Sequence, residues 1–386
     1  MMDRFPSPVA AQVTLANWRN PPFARWAFQH VRELIPSADI ANDPANVRPL
    51  PEAQVDERKL PLGDFLEATD TDGFVILHRG RLVFERYTNG MTPHTPHILM
   101  SVTKSMLGLL AGILAGRGLL DPEREVVDII PELQKTGYAG ATVRHLLDMR
   151  SGIAFEEDYL ATSGPIVEYR KSTGWNPLGP GEQPSDLRGF YRTLTGRDGP
   201  HGGIFRYISP NTDLLGWVIE RATGRRYADL MSELLWQPAG AERPGYITVD
   251  RLGAPRVAGG MCVTPRDLAR VGLLIAENGR RGAQQVIAAS WIDDLAANGD
   301  PAAWAAGTFA EYFNHAEMHY RAKWYVLRGP QPLLFGWGIH GQHLFVDRAA
   351  GLVIAKASSQ ALPVDVERIR TTIAAVARLR EYFSNC

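Results

Sequence analysis

Residues 100–110 read Met-Ser-Val-Thr-Lys-Ser-Met-Leu-Gly-Leu-Leu, a Ser-x-x-Lys tetrad at the start of an apolar helix. Because positions three apart share one helix face, Lys104 is predicted to lie beside the hydroxyl of Ser101. Burial lowers the pKa of a lysine, and a neutral Lys104 amine can accept the proton that a serine must lose to become a nucleophile. The tetrad taken alone leaves open a plain helix-capping role for Ser101.

A second polar stretch, Tyr207-Ile208-Ser209, comes just before a predicted helix. A phenol close to a lysine can deliver a proton to a leaving group, which makes Tyr207 a candidate proton relay. Ser209, in the same stretch, is a candidate substrate-binding residue. The alternative is a loop tyrosine whose hydroxyl completes a turn, with Ser209, Asn211 or Asp213 capping the helix.

A third stretch, residues 336–342, reads Gly-Trp-Gly-Ile-His-Gly-Gln and precedes a predicted hairpin. Glycines in a strand allow close approach of a ligand, so the backbone N–H groups of Ile339 and Ser101 are candidates for an oxyanion hole. The alternative is a bulged strand in which His340 is an ordinary edge residue.

Two predicted β-hairpins lie near opposite ends of the chain, at residues 74–87 and 343–356, and a helical pattern follows at 364–383. Between them, residues 121–276 alternate helical patterns, at 143–149, 213–222, 227–236 and 265–277, with loops rich in glycine and proline. This order predicts an α/β (α+β) fold of two lobes. One lobe has an antiparallel sheet flanked by helices and is built from residues 1–120 and 277–386; the other is mostly helical and is formed by 121–276. The active site is expected between them.

The charge balance of the chain limits the classes of partner that it is expected to bind. Forty-one basic and 42 acidic side chains give a net charge of -1, which argues against nucleic-acid and polybasic membrane binding and favours a small-molecule partner. Cys262 and Cys386 are expected to be free thiols in a reducing compartment. No secretory signal is visible, and the apolar stretch 106–120 is too short to span a bilayer, so we expect a cytoplasmic protein.

The three motifs, in this order, resemble those of serine β-lactamases, DD-peptidases and their esterase relatives, the penicillin-recognising serine hydrolases. Residues 142–153 resemble the beginning of the helical lobe in the class C-like branch. The similarity extends over almost the whole chain to the nylon-oligomer hydrolases of this superfamily. The resemblance implies Ser101 as nucleophile, Lys104 as its base, Tyr207 as proton relay, and an acyl-enzyme mechanism without cofactor or metal. It also implies a homodimer.

The same resemblance points to residues around the substrate. Tyr159 stands where the nylon-oligomer hydrolases have a tyrosine that closes over the substrate amide. Arg170 stands where they have an acidic residue that grips the substrate's amino end, and a cation there would repel an ammonium group. His340 replaces the usual lysine of the third β-lactamase motif, and a mostly neutral histidine is a weaker carboxylate anchor.

Esterase or amidase activity therefore ranks above β-lactamase or DD-peptidase activity, and a non-catalytic acyl-ligand sensor is the alternative of another class. The Trp324-Tyr325 pair is predicted as a pocket wall, although such aromatics are most often core. Residues 163–198, rich in glycine, proline and charge, are predicted as a lid or pocket loop without regular structure. A metal site at His315 and His319 is discounted, since no third ligand is evident.

Overall fold

The computed structural model describes residues 8–384, and its larger sheet is built from both ends of the chain. The strands of the described residues, in chain order, are β1 (Ser37–Ile40), β2 (Thr71–His78), β3 (Arg81–Tyr87), β4 (His97–Ile98), β5 (Gly245–Thr248), β6 (Met261–Val263), β7 (Arg280–Arg281), β8 (Gln284–Gln285), β9 (Met318–Arg321), β10 (Trp324–Leu327), β11 (Leu333–Gly338), β12 (Gln342–Asp347) and β13 (Leu352–Ser358). Seven of them form the larger sheet and run antiparallel in the order β3-β2-β13-β12-β11-β10-β9.

Both predicted hairpins are confirmed. Strands β2 and β3 turn at Arg79 and Gly80, which both adopt positive φ, and β12 and β13 turn before Gly351. The two hairpins lie side by side because β13 pairs with β2. The sheet therefore joins segments almost 300 residues apart in the chain.

Fourteen α-helices lie in the part of the chain that the structure describes. They are α1 (Ala24–Ala27), α2 (Phe65–Ala68), α3 (Val102–Gly116), α4 (Val126–Ile129), α5 (Val143–Leu147), α6 (Pro165–Ser172), α7 (Leu187–Tyr191), α8 (Ser209–Thr223), α9 (Tyr227–Met231), α10 (Gln237–Ala239), α11 (Pro265–Ala276), α12 (Ala289–Ala297), α13 (Pro301–Ala305) and α14 (Val366–Ser384). The helices predicted at 143–149, 213–222, 265–277 and 364–383 are confirmed as α5, α8, α11 and α14. The helix predicted at 227–236 is α9 continued by a π-helical turn.

The stretch 163–198 differs from its prediction as an unstructured loop, because it contains α6 and α7. Both helices are short, and α6 has low overall hydrophobicity, so glycines and charges around them hid the periodicity. Tertiary packing stabilises them, since Tyr169 of α6 and Phe190 and Tyr191 of α7 are buried.

A second, smaller sheet has the order β1-β5-β6-β4 and joins the middle of the chain to its N-terminal part. In addition, α11 packs on β12 and β13 of the large sheet, where a Cβ on Gly272 would lie 2.4 Å from a methyl group of Val353. The segment 245–276 therefore contacts elements that come from both ends of the chain. The division into two lobes at residues 120 and 276 stays a prediction.

Among the described residues, no helix combines the length and apolar character that crossing a membrane requires. Cys262 is a buried free thiol, and Cys386 lies outside the described residues.

Candidate active site

Ser101 lies between strand β4 and helix α3, at the point where the chain turns into the helix. Met100, just before it, has a φ of 45°, a left-handed conformation that is strained for a residue with a side chain. The Ser101 side chain makes no capping hydrogen bond to the helix. Its Oγ instead accepts a hydrogen bond of 2.9 Å from Nζ of Lys104. The plain capping role left open by the sequence is therefore not the one that the structure gives to Ser101.

Lys104 is almost completely buried and contacts two oxygen atoms. Its Nζ lies 2.9 Å from Oγ of Ser101 and 2.7 Å from the carbonyl oxygen of Ala258. Burial lowers the pKa of Lys104 from 10.5 to about 7, while the charge of Glu157 acts in the opposite direction. Lys104 forms no ion pair among residues 8–384. A substantial fraction of the amine is therefore neutral near pH 7.

Tyr207 completes the group of predicted catalytic side chains. Its ring centroid lies 4.8 Å from Nζ of Lys104. Burial raises the pKa of Tyr207 above its usual value, and the hydroxyl of Ser101 acts to lower it. The three side chains that the sequence singled out for catalysis are therefore brought together, although Tyr207 lies more than 100 residues from Ser101 and Lys104 in the chain.

Glu157 supports the second motif and was not identified from the sequence. Its carboxylate accepts hydrogen bonds from the backbone N–H and from the hydroxyl of Ser209, the first residue of α8. Ser209 is thus held at the helix N-terminus, two residues after Tyr207. The partners are 52 positions apart, so no local pattern could have paired them.

Asp213 fixes the second oxygen that Lys104 contacts. Its buried carboxylate accepts a hydrogen bond of 2.7 Å from the backbone N–H of Ala258 and pairs with the buried Arg256. Tyr169 donates a further hydrogen bond to it. Asp213 is therefore not a helix cap. It anchors the segment whose carbonyl oxygen accepts a hydrogen bond from Lys104.

The third motif runs directly alongside Ser101. A Cβ added to Gly338 would lie 2.7 Å from the carbonyl oxygen of Leu99 and 2.9 Å from the backbone nitrogen of Ser101. Only glycine permits this approach, which brings β11 to an end beside the nucleophile. Ile339 follows and is half-buried. Its N–H and that of Ser101 are the candidates for the oxyanion hole.

His340 is neutral and serves the turn after β11. Its φ is 61°, its Nδ1 lies 2.7 Å from the carbonyl oxygen of Gln360, and its ring lies edge-on to Phe28. Burial lowers the pKa of His340 to about 4. A cation at His340 is therefore absent at neutral pH, in line with the expected weakness of this residue as a carboxylate anchor.

Tyr159 and Arg170 are tied to each other. The Arg170 guanidinium donates hydrogen bonds to the carbonyl oxygens of Tyr159 (3.0 Å), Asp158 (3.2 Å) and Ala161 (3.3 Å). Arg170 therefore holds the 158–161 segment in place. The half-buried Tyr159 is close enough to Glu157 for that carboxylate, together with burial, to raise the pKa of the phenol.

Two clefts adjoin this segment. One, of about 840 Å³, is lined by Glu157 and Tyr207; the other, of about 710 Å³, is lined by Tyr159, Arg170 and Ile339. Ala161 contributes to both, so the 158–161 segment lies between them. Residues 176–179 of the predicted lid or pocket loop line the second cleft.

The predicted aromatic wall is only partly where the sequence placed it. Trp324 is fully buried, and its indole N–H donates a hydrogen bond of 3.1 Å to the carbonyl oxygen of Ser105 in α3, so it belongs to the core and not to a pocket. Tyr325 points to the opposite face of β10, where Tyr207 and burial raise the pKa of its phenol. Strand alternation explains why neighbouring residues separate in this way.

Comparisons with known proteins agree with this architecture. The Beta-lactamase family model matches residues 65–378. The chain is 36% identical over 359 residues to the 6-aminohexanoate-dimer hydrolase of Paenarthrobacter ureafaciens, covering 92% of this chain and 90% of that protein.

Solved structures show the same fold. A Bacillus anthracis protein provisionally named as a 6-aminohexanoate-dimer hydrolase superposes with a TM-score of 0.87 at 26% identity, over 98% of this chain and 99% of that one. A family VIII carboxylesterase superposes with a TM-score of 0.61 at 18% identity, over 83% of this chain and 96% of its own. The latter similarity concerns the fold alone.

Proposed function

This chain belongs to the beta-lactamase family, and on that premise we propose that it cleaves linear amide or carboxylic ester bonds through an acyl-enzyme on Ser101. It is a serine hydrolase of this superfamily, similar to 6-aminohexanoate-dimer hydrolase. One observation carries the proposed mechanism. Nζ of Lys104 lies 2.9 Å from Oγ of Ser101, and burial lowers the pKa of that lysine to about 7.

Acylation begins with proton transfer from the Ser101 hydroxyl to the neutral Lys104 amine as Oγ attacks the substrate carbonyl carbon. The carbonyl oxygen becomes an oxyanion, which the N–H groups of Ser101 and Ile339 stabilise. The dipole of α3 adds to this stabilisation, since its positive end lies at Ser101.

Collapse of this intermediate breaks the bond to the leaving group, which needs a proton if it is an amine or an alkoxide. Tyr207 supplies that proton and regains one from the Lys104 ammonium, whose Nζ lies 4.8 Å from the centre of the phenol ring. Water then attacks the ester on Ser101 by the reverse transfers, which releases the carboxylic acid and restores the serine.

The substrate class follows from the relatives and from the third motif. The P. ureafaciens relative is named for hydrolysis of the 6-aminohexanoate dimer, a linear amide with an ammonium group at one end. In this chain Arg170 lies beside the cleft that contains Ile339, and it disfavours an ammonium group there. The neutral His340 disfavours β-lactam antibiotics, whose carboxylate is usually bound by a lysine in this motif. We therefore place esters and linear amides first. A homodimer and a cytoplasmic location stay predictions.

A hydrolysis panel tests this proposal. Wild type and Ser101→Ala are compared on p-nitrophenyl acetate and butyrate, on 6-aminohexanoate dimer and on the chromogenic cephalosporin nitrocefin. We expect ester cleavage by the wild type and a loss of at least about a thousandfold in Ser101→Ala, as for other nucleophile substitutions. Circular dichroism of the variant verifies that it is folded.

Two other outcomes of the same panel would indicate a different function. Cleavage of nitrocefin in preference to the esters would identify a β-lactamase. Equal inactivity of both proteins on every compound, together with stoichiometric acylation of Ser101, would identify an acyl-ligand sensor.

A further inference from the structure

Arg19 lies in the N-terminal arm, which we define as residues 8–65. It is a partly buried cation without an anionic partner among the described residues. Its guanidinium donates one hydrogen bond, to Oδ1 of Asn176, and lies 5.5 Å from the ring centre of Trp18. No carboxylate within residues 8–384 forms an ion pair with it. Burial and the nearby charge of Arg170 lower the pKa of Arg19 to about 9, so it remains protonated at neutral pH. Arginines in such surroundings are usually paired, which makes a solitary one a candidate ligand-binding group.

Arg19 lines the same 710 Å³ cleft as Tyr159, Arg170 and Ile339. The cleft has one carboxylate in its wall, that of Glu182, and Nζ of Lys171 lies 2.6 Å from it. Lys171 also pairs at 3.0 Å with Glu168, which is not among the lining residues. Among the residues that line the cleft, three side chains are basic, those of Arg19, Arg170 and Lys171, and one is acidic. Arg170 donates to three backbone carbonyls, whereas Arg19 has donors left for a ligand.

The two clefts differ in which residues of the candidate active site line them. Tyr207, the proton donor to the leaving group, lines the other cleft, on the far side of the 158–161 segment. If the leaving group lies next to Tyr207, its proposed proton donor, the acyl part of the substrate extends to the other side of the 158–161 segment, where Ile339 and Arg19 line the second cleft.

We infer that Arg19 binds an anionic group, such as a carboxylate, at the far end of the substrate's acyl chain. The preferred substrates are then monoesters or monoamides of dicarboxylic acids, with Arg170 adding favourable charge from the side. This inference rests on the proposed function and specifies the substrate of that same site. Guanidinium is suited to this task because its planar donors match both oxygens of a carboxylate.

The test uses three p-nitrophenyl esters with acyl chains of equal length, ending in a carboxylate, a methyl group or an ammonium group. Mono-p-nitrophenyl adipate, p-nitrophenyl hexanoate and p-nitrophenyl 6-aminohexanoate form one set, and the eight-carbon homologues form a second that allows for reach. Each is assayed with wild type, Arg19→Gln and Arg32→Gln. Arg32 is the matched control, since it lies in the same arm but pairs with Asp39 at 2.6 Å and does not line the cleft.

We expect kcat/KM of the wild type to follow the order carboxylate, methyl, ammonium in at least one of the two sets. Arg19→Gln should lower kcat/KM for the carboxylate ester about 10- to 100-fold, the range for loss of a charged hydrogen bond, and change that for the methyl ester less than about threefold. Arg32→Gln should leave the order intact. High salt should reduce the preference, because screening weakens a partly exposed ion pair.

Two results would overturn the inference, and they are distinguishable. If the methyl ester is cleaved but wild type and Arg19→Gln show the same carboxylate preference, or none, Arg19 does not bind the substrate while the proposed function stands. If the wild type cleaves no ester of either set, the inference fails, and the proposed function fails with it if the 6-aminohexanoate dimer is not cleaved either. Activity on the methyl ester also reports whether Arg19→Gln is correctly folded.

Discussion

Two oxygen atoms contact the Lys104 amine, and each has a different part in the proposed role of this lysine as a base. The Ser101 hydroxyl is the proton source, and the carbonyl of Ala258 holds Nζ in position. Asp213 fixes that carbonyl through the Ala258 N–H, and Arg256 compensates the Asp213 charge. Lys104 thus stays buried with no carboxylate in hydrogen-bond contact, an arrangement that keeps its pKa low.

The pKa of Lys104 sets the pH dependence of the proposed reaction. The ammonium form of Lys104 cannot accept a proton, and the folded protein lowers its pKa to about 7, so the active neutral form accumulates above that pH. We expect kcat/KM for p-nitrophenyl butyrate to rise through about pH 7 and then level off. Initial rates between about pH 5.5 and 9, corrected for spontaneous hydrolysis, measure this. A rate that still rises steeply at about pH 9, as expected for a base with the ordinary lysine pKa of 10.5, would rule out Lys104 as a desolvated base.

At the scale of elements, helix α3 follows directly after the nucleophile Ser101, and glycines on one of its faces pack closely against neighbouring residues. A Cβ on Gly108 would lie 2.1 Å from the carbonyl oxygen of Ala322, and one on Gly112 would lie 2.4 Å from the indole of Trp291. The third glycine, Gly116, has only the Cβ of Ala288 nearby, at 3.8 Å. The helix is therefore held at Gly108 and Gly112 by close contacts that no larger residue permits, whereas its last residue is loosely packed.

These glycines give a matched pair of variants. Gly112→Ala should lower the free energy of unfolding by about 1 to 3 kcal/mol, because the Trp291 ring must move. Gly116→Ala should leave it unchanged or raise it by up to about 1 kcal/mol, since alanine favours the helix and finds room. Urea denaturation followed by circular dichroism measures both. Equal effects of the two substitutions would contradict the packing of α3 described above.

Sequence periodicity predicted the regular elements well where they are long or strongly patterned. Hairpins β2–β3 and β12–β13 and helices α8, α11 and α14 are examples. It failed for the short helices α6 and α7, which tertiary contacts stabilise, and for the small sheet, whose strands have only two to four residues each.

In the whole molecule, the N-terminal arm lines the second cleft and packs against the rest of the fold. The Trp18 indole is fully buried and donates a hydrogen bond of 3.1 Å to the carbonyl oxygen of Trp175, while the two rings meet edge to face. Further apolar side chains of the arm are buried in the same cluster as Trp18. The arm also adds strand β1 to the small sheet.

Trp18→Ala should therefore lower the free energy of unfolding by about 3 to 5 kcal/mol, the usual cost of removing a buried tryptophan side chain. The control is Trp26→Ala, because Trp26 is only partly buried and stacks on His30. Its effect should be less than half as large. Chemical denaturation provides both values, and a larger effect for Trp26 would show that the arm is anchored elsewhere.

How far the site could be predicted depends on the distance between partners in the chain. Ser101 and Lys104 share one turn of helix, so their contact follows from spacing alone. Tyr207 and Ile339 were found because their motifs resemble those of a known family. Glu157 and Asp213 were missed, and Trp324 was assigned to a pocket wall, since their roles depend on long-range contacts with Ser209, Ala258 and Ser105 that carry no local signal.

The central claim is that Ser101 becomes covalently acylated, and mass spectrometry of the intact protein tests it most directly. Wild type mixed with p-nitrophenyl butyrate and quenched in acid within milliseconds to seconds should gain the mass of one butyryl group, and peptide mapping should locate it on Ser101. The burst of p-nitrophenol should equal the enzyme concentration if deacylation is slower than acylation. Ser101→Ala should show neither. A butyryl group on any other residue during turnover, or unchanged turnover by Ser101→Ala, would contradict the mechanism.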